Sequence, residues 1–368
     1  MKIRILFVIS LLKYGGAQKI LSFLANNLSS RGYEVYIYTF AGNTIDYKLN
    51  KEVIVLYEDK VHKNILVKKF APFFKTRRII KQINPDVVIS FLTNANFLSI
   101  ICTMFTKIPV IISERSDPYY EKNIMLSFMR LFYRFADGAV FQTTGARNYY
   151  SEKIRKISTV IPNPVIGEYE NSLLPFSKRK NEIAFIARFD IKQKRQDVIV
   201  KAFKKVVEKY KEMKLVFYGD GPDLEKIMRM VERYNLSNNV IFKGKIDNVN
   251  CALKDAKLFV LTSDYEGIPN ALIEAMSIGL PVISTDCSPG GARSLIEHKK
   301  NGLLVPRGDI DELANSIIYL LDNPDIAEML GKEAKKIIET LDSNKILDLW
   351  EDYLKKILKK VTKKQTTT

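Results

Sequence analysis

The feature that most constrains this chain is an alternation that runs through it twice. Short, β-branched, nearly continuous apolar runs come first: IRILFVIS (3–10), EVYIYTF (34–40), VIVLY (53–57), DVVISF (86–91), PVIISE (109–114) and GAVFQT (138–143). Helical stretches separate most of them, such as AQKILSFLANNLSSRG, which Gly32 closes. Runs that are apolar on both faces suit strands buried on both sides of a parallel sheet. The alternation pauses at IPNPVIGEYENSLLPFSKRKN (161–181), rich in Pro, Asn and charge, and then restarts. The second series is EIAFIAR (182–188), KLVFYGD (214–220), VIFKG (240–244), KLFVLTS (257–263), PVISTD (281–286) and LLVP (303–306). Two βαβ series in 368 residues predict two Rossmann-like α/β domains, with ligands at the carboxyl ends of the strands. The expected divisions are 1–165, a linker over 166–180, and 181–343. A last helix over 344–362 closes the second domain or crosses back to the first.

Composition narrows the function classes. Three scattered cysteines, Cys102, Cys251 and Cys287, give no disulfide framework or zinc spacing and fit a reducing cytosol. The net charge of +17 implies an acidic partner: nucleic acid, anionic lipid or a phosphorylated substrate. Residues 60–85 hold eight cations and no acid, mixed with Phe70, Phe73, Phe74 and other apolar side chains. That mixture suits an anionic membrane surface, with a solvated helix face carrying an ordinary core stripe as the alternative. No apolar run is long enough to span a bilayer. The opening MKIRILFVISLL is interrupted by Arg4 and lacks a cleavage site, so it reads as a buried strand rather than a signal peptide. The expected location is the cytoplasm, peripherally on the cytoplasmic membrane.

Four stretches carry chemistry. In EGIPNALIEAMSIGLPVISTD (266–286), Glu266 sits in the loop after a strand and Glu274 about one turn into the next helix. Gly267 permits a tight turn that presents backbone amides at a helix start, where oxygen-rich ligands bind; simple capping, with Glu274 exposed, is the alternative. In FIARFDIKQKRQD (185–197), Arg188 and Lys194 lie at the same sheet edge and can grip a diphosphate, or belong to a merely basic loop. In LLKYGGAQKI (11–20), Gly15 and Gly16 follow the first strand and open a helix, without the spacing of a dinucleotide fingerprint. In YGDGPD (218–223), Gly219 and Gly221 make a strand-to-helix turn that either walls a pocket or only turns the chain.

In this order and spacing the four stretches resemble the retaining glycosyltransferases of family 4, which have the two-domain GT-B fold: two Rossmann-like parallel-sheet domains facing each other across a cleft. The matching residues are GGAQK, ARFDIKQK, YGDGP, EGIPNALIEA and GLPVISTD followed by NGLLVP, with seven residues between Glu266 and Glu274. Within the family the chain resembles bacterial enzymes that extend capsule, O-antigen or lipid-linked oligosaccharides. The resemblance implies that Arg188 and Lys194 bind the donor diphosphate and that Glu274 holds the ribose hydroxyls. Glu266, with the amides of Gly267, Ile268 and Asn270 around Pro269, would hold the donor sugar. Gly15 and Gly16 would meet the diphosphate from the other domain. The donor type it implies is a UDP-linked hexose or N-acetylhexosamine, and the acceptor a glycan on a polyprenyl diphosphate.

Where many family members carry a histidine after the fifth strand, this chain reads ISERSDP, so Glu114 or Arg115 would occupy that space. A front-face mechanism needs no histidine, because the departing diphosphate can take the acceptor proton. Many relatives have Glu where Gln18 stands. Arg293, in the glycine turn SPGGARSLIEH (288–298), is a weaker candidate for touching sugar or acceptor. Asp309-Ile310-Asp311 has the spelling of a metal pair but opens a helix, where acids suit the dipole. No metal and no cofactor are expected. Cys287 reads as a packed small residue. Two other readings remain: a nucleic-acid-binding protein using the positive charge, against which no recognition motif is present, and a nicotinamide-dependent oxidoreductase, against which stands the missing fingerprint.

Overall fold

The computed structural model describes residues 2–57, 65–120, 123–167, 174–246 and 249–366, with the side chains of 65–70 and 364–366 outside that description. The chain divides into two compact units, Met1–Pro164 with Ser343–Thr368, and Val165–Asp342.

In the first unit the strands are β1 (Arg4–Ile9), β2 (Glu34–Thr39), β3 (Ile54–Tyr57), β4 (Val87–Phe91), β5 (Val110–Glu114), β6 (Gly138–Phe141) and β7 (Ser158–Val160). They form one sheet in the order β3-β2-β1-β4-β5-β6-β7, and every pairing is parallel. The order reverses between β1 and β4, as in a doubly wound sheet. β7 has no counterpart among the apolar runs. It is three half-buried residues, Ser-Thr-Val, on the sheet edge, too short and too polar to show a period.

The longer helices here are α1 (Gly16–Ser30), α2 (Ile65–Ile83), α3 (Thr93–Thr103) and α4 (Ile124–Leu131), the last followed by a 3-10 turn, Phe132–Phe135. Of the basic segment 60–85, residues 60–64 lie outside the described residues, and 65–83 form α2. No described helix is long and apolar enough to cross a membrane.

In the second unit the strands are β8 (Lys180–Ile186), β9 (Lys214–Tyr218), β10 (Val240–Phe242), β11 (Ala256–Leu261), β12 (Val282–Thr285) and β13 (Leu303–Val305). Their order is β10-β9-β8-β11-β12-β13, again wholly parallel, with the reversal between β8 and β11. Among its helices are α5 (Gln196–Lys209), α6 (Asn270–Ser277) and α7 (Ile310–Asp322). Asp309 caps α7, its side chain accepting from the Glu312 amide; this is the capping use of the Asp-x-Asp pair. Within the stretch read as a linker, residues 168–173 lie outside the described residues, while Phe176 is buried in the core of this unit.

The terminal helix α8 (Ser343–Thr366) counts with the first unit. Its buried stripe is Ile346, Leu347, Trp350, Tyr353, Leu354 and Ile357, recurring at helical spacing. Trp350 stacks on Phe91 with ring centroids 6.0 Å apart. Tyr353 Oη accepts from the Ala139 amide at 2.9 Å and donates to the Ile157 carbonyl, so one hydroxyl ties α8 to the β6–β7 edge. Gly138 leaves room for it: a Cβ there would press 2.7 Å from that hydroxyl. At the rim Arg31 bridges Asp348 and Glu351, each at 2.5 Å. Replacing Tyr353 by Phe removes the hydroxyl that ties α8 to this edge and leaves the Ala139 amide only its longer bond to the Ile157 carbonyl, at 3.2 Å. It is expected to cost about 1–3 kcal/mol, read as a lower denaturant midpoint of the first unit's transition.

Candidate functional site

The reversal between β8 and β11 makes the loops that follow these strands neighbours, although 72 residues separate Lys194 from Glu266. Lys194 Nζ forms an ion pair with Glu266 Oε1, and both side chains are largely buried. Ser263 Oγ donates to the same carboxylate oxygen at 2.7 Å. The next residue, Arg195, is in the left-handed region at φ 51. Its guanidinium reaches Asp264 at 2.9 Å and Asp197 at 3.0 Å. The Thr262 hydroxyl lies 2.8 and 2.9 Å from the carbonyls of Lys194 and Arg195. Gln193 donates to the Tyr265 carbonyl and accepts from the Asp264 amide. The loops after β8 and β11 are therefore stitched into one surface.

Arg188 lies two residues beyond β8 with its side chain 64% exposed and paired to Asp190 at 2.5 Å. The Asp190 carboxylate caps the single turn Ile191–Lys194. Gly219 and Gly221 pack the β9 loop on this surface. A Cβ on either would collide with backbone, at the Ala187 carbonyl and at Phe189 respectively. That is a close approach only glycine permits. Gly267, Ile268, Pro269 and Asn270 lead into α6, whose N-cap is Pro269. Glu274, in α6, is buried rather than an exposed helix residue, with 8% exposure. Behind the turn, a Cβ on Gly291 would strike the Gly267 carbonyl. Arg293 is exposed and paired to Asp286.

In the first unit, Gly15 and Gly16 sit at the head of α1 after β1. The Tyr47 hydroxyl accepts from the Gly15 amide and donates to its carbonyl, both at 2.9 Å. The Asp46 carboxylate accepts from the Tyr14 amide at 2.9 Å. Gln18 folds its side-chain oxygen over Gly15.

Glu114 and Arg115 leave β5 on opposite faces of the sheet, as successive strand residues must. Glu114 turns inward, with a wholly buried side chain. It accepts from Tyr133 at 2.7 Å, Ser116 at 2.8 Å and Tyr150 at 3.2 Å, and pairs with Arg130 at 3.5 Å. Burial, reinforced by this carboxylate, raises the Tyr133 and Tyr150 phenols well above their usual pKa. Arg115 turns to the other face, 4.7 Å from the Phe91 ring centroid and 5.5 Å from that of Trp350. It donates to Ser113 and Asn163. Burial pushes its pKa down to about 9, against the pull of Glu114.

Sequence reasoning passed over Arg195, Ser263, Asp46, Tyr47 and Arg130. Only Arg195 carried a signal, lying directly after Lys194 in a loop already singled out.

Two family models match the chain: Glycosyltransferase Family 4 over residues 14–167 and Glycosyl transferases group 1 over residues 171–337. The chain is 30% identical over 358 residues to the "GalNAc-alpha-(1->4)-GalNAc-alpha-(1->3)-diNAcBac-PP-undecaprenol alpha-1,4-N-acetyl-D-galactosaminyltransferase" of Campylobacter jejuni, covering 94% of this chain and 97% of that protein. It is 23% identical to a glycosyltransferase of Haemophilus influenzae, covering 95% and 98% of the two. Among solved structures it is similar to HepE of Anabaena in complex with UDP and glucose, with a TM-score of 0.82 at 20% identity, covering 95% of this chain and 99% of that one. Sucrose-phosphate synthase of Thermosynechococcus elongatus gives a TM-score of 0.81 at 17% identity, covering 97% and 99%.

Cys287, on the turn beside these loops, is buried, and burial pushes its thiol up to about 12; the same holds for Cys102. The exposed Cys251 alone is expected to react fast with Ellman's reagent in the native chain, and all three in denaturant. A second fast thiol, assigned by peptide mapping to Cys287, would show that the turn there opens. Because the unfolded chain loses its thiol protons near 9.0 and the folded chain only near 12, these groups make stability fall as pH rises between those values.

Proposed function

Because the chain belongs to glycosyltransferase family 4 and has the GT-B fold of two parallel-sheet α/β domains, we propose that it moves a hexose or N-acetylhexosamine from a UDP-sugar to a membrane glycan, with retention at the anomeric carbon and without a metal. Family membership displaces the nucleic-acid and nicotinamide readings. The observation that carries the proposal is the Lys194–Glu266 pair, with Ser263, at the switch point of the second sheet and beside the start of α6. Ligands of doubly wound sheets bind at such points.

In this reading Lys194 and Arg188 hold the donor diphosphate. The acceptor oxygen forms its bond to the anomeric carbon on the face the diphosphate leaves. The bond from that carbon to the phosphate oxygen breaks, and the acceptor proton passes to the departing phosphate. Both cations stabilise the charge that grows there, and loss of one costs on the order of 2–4 kcal/mol of barrier. Glu274 accepts from the ribose hydroxyls. Glu266, oriented by Ser263 and Lys194, accepts from the sugar hydroxyls beside the amides of Gly267, Ile268 and Asn270. Gly15 and Gly16 are proposed as phosphate contacts on the first unit.

Glu114 and Arg115, engaged inside the first unit, are proposed to fix the β5 loop from its two faces. Arg293 stays a candidate for the sugar or acceptor through its exposed guanidinium. The UDP-type donor is supported by the UDP complexes of HepE, and a polyprenyl-diphosphate-linked acceptor by the undecaprenol in the Campylobacter relative's name. Capsule, O-antigen or a related surface polysaccharide is the product class proposed. Its place of work is the cytoplasmic membrane surface, on the cytoplasmic side.

Melting of the chain with UDP, GDP and ADP, each in EDTA, tests the donor. A rise with UDP alone, absent in Glu274→Ala, is expected; a rise with none of the three would sink the donor assignment. Lys194→Ala is expected to lower kcat by about 100- to 1,000-fold in an EDTA-containing transfer assay. Activity that appears only with added divalent ions would overturn the metal-free reading.

A further inference from the structure

The first unit carries an apolar face that its own core leaves uncovered. On α4 and the 3-10 turn after it, Ile124 (89% exposed), Phe128 (51%), Leu131 (61%) and Phe135 (51%) recur at intervals of four, three and four residues, and so share one helical face. The opposite face is satisfied: Arg130 and Tyr133 are buried on Glu114, and Phe132 packs edge-on against Phe97 of α3 at 5.0 Å. The segment is apolar on both sides, and the outer side is covered only in part, where Phe128 meets Phe97 at 6.4 Å and Phe132 at 5.4 Å.

The outer stripe has company. α3 packs against both α2 and α4, and Phe97 and Ile101 on it and Met104 at its end are half-buried. Past its end Phe105 is 93% exposed, held out by a left-handed backbone at φ 71. That conformation is costly for an aromatic residue. Phe74 of α2 is 65% exposed.

Charge decides what covers this face. Across 65–83, 93–107 and 123–135 there is no Asp or Glu. Arg77, Arg78, Lys107 and Arg134 are exposed around the apolar residues, with the Arg134 guanidinium 4.9 Å from the Phe135 ring centroid. A second copy laid on this face would set cation against cation. An anionic bilayer matches both the apolar stripe and its rim.

We propose that α4, its following turn and Phe105 form a docking surface that inserts into the headgroup region of an anionic lipid bilayer. The inference rests on the membrane-acceptor reading above and deepens it. It adds a hydrophobic anchor outside the basic segment 60–85, so that attachment does not depend on charge alone. The anchor is also tied to the reaction side of the first sheet. Only nine residues, 115–123, join β5 to α4, which caps their separation at about 30 Å.

Flotation with vesicles of phosphatidylcholine, alone or with about one-third phosphatidylglycerol, tests the proposal without donor or acceptor. Ile124→Ser/Phe128→Ser/Leu131→Ser changes two largely exposed side chains and the half-exposed Phe128, which touches Phe97 and Phe132, so its melting temperature is checked against the parent. The parent is expected to float with the anionic vesicles and the triple variant to lose on the order of tenfold or more in partitioning. In a second measurement, Phe128→Trp is expected to shift its emission to the blue on vesicles and to be quenched by brominated lipid, while Trp350 stays buried on Phe91 as background.

The proposal is overturned by a triple variant that binds like the parent, or by an emission unchanged on bound vesicles, either of which leaves segment 60–85 as the contact. It is also overturned by a parent that ignores vesicles and dimerises by light scattering through these residues. Vesicle binding with no transfer to any lipid-linked acceptor would fault the acceptor reading and leave this inference standing.

Discussion

The parallel pairing of β8 with β11 is the constraint on which the candidate site hangs. In register, Ile183 meets Leu258 and Ala184 meets Phe259, so both strands end at the same level and release their loops side by side. The loop carrying Lys194 cannot then avoid the loop carrying Glu266. Thr262 fastens the first to the second, and Thr285 at the end of β12 fastens the second to its own neighbour through the Ser263 carbonyl. Each bond is an ordinary one, worth about 1 kcal/mol net. Together they leave the ion pair little freedom to drift, which is what a site that must stabilise charge in one direction requires.

The positive charge of the chain is handled differently in the two units. Around the site four cations already have a carboxylate: Arg188 has Asp190, Lys194 has Glu266, Arg195 has Asp264 and Asp197, and Arg293 has Asp286. A polyanion that offers charge without the right geometry must compete with those partners and gains little. In the first unit Arg77 and Arg78 of α2, with Lys107 and Arg134, are exposed on stretches that hold no acid. They attract any dense negative surface, with strength that falls as salt rises. The same excess charge thus serves selectivity in one place and adhesion in another.

Both sheets were legible because their strands lie in apolar runs with β-branched side chains; β10 and β13 are as short as β7, but Val-Ile-Phe and Leu-Leu-Val are apolar where Ser-Thr-Val is not. The loops were legible where glycine or proline marked them, as at Gly219, Gly267 and Pro269. What stayed hidden depended on side-chain direction. Glu114 and Arg115 were read as one place after a strand, yet the two-residue period of the strand sends them to opposite layers, one to Tyr133 and the other to Trp350. The left-handed backbone at Arg195 was invisible too, since nothing in an arginine announces a positive φ. Its two carboxylate partners lie apart in the chain, Asp197 in the first turn of α5 and Asp264 in the loop after β11.

Because α8 comes from the far end of the chain and covers Phe91 and the β6–β7 edge, the first unit is first to leave the ribosome and last to be finished. Until residues 343 onward have been made, the ring of Phe91 and the backbone amide of Ala139 lack the indole and the hydroxyl that cover them in the folded molecule. The second unit, continuous from Val165 to Asp342, meets no such delay. The nascent chain therefore carries a half-clad sheet through the whole synthesis of its partner. That interval, which grows wherever translation slows, is when a chaperone has most to protect.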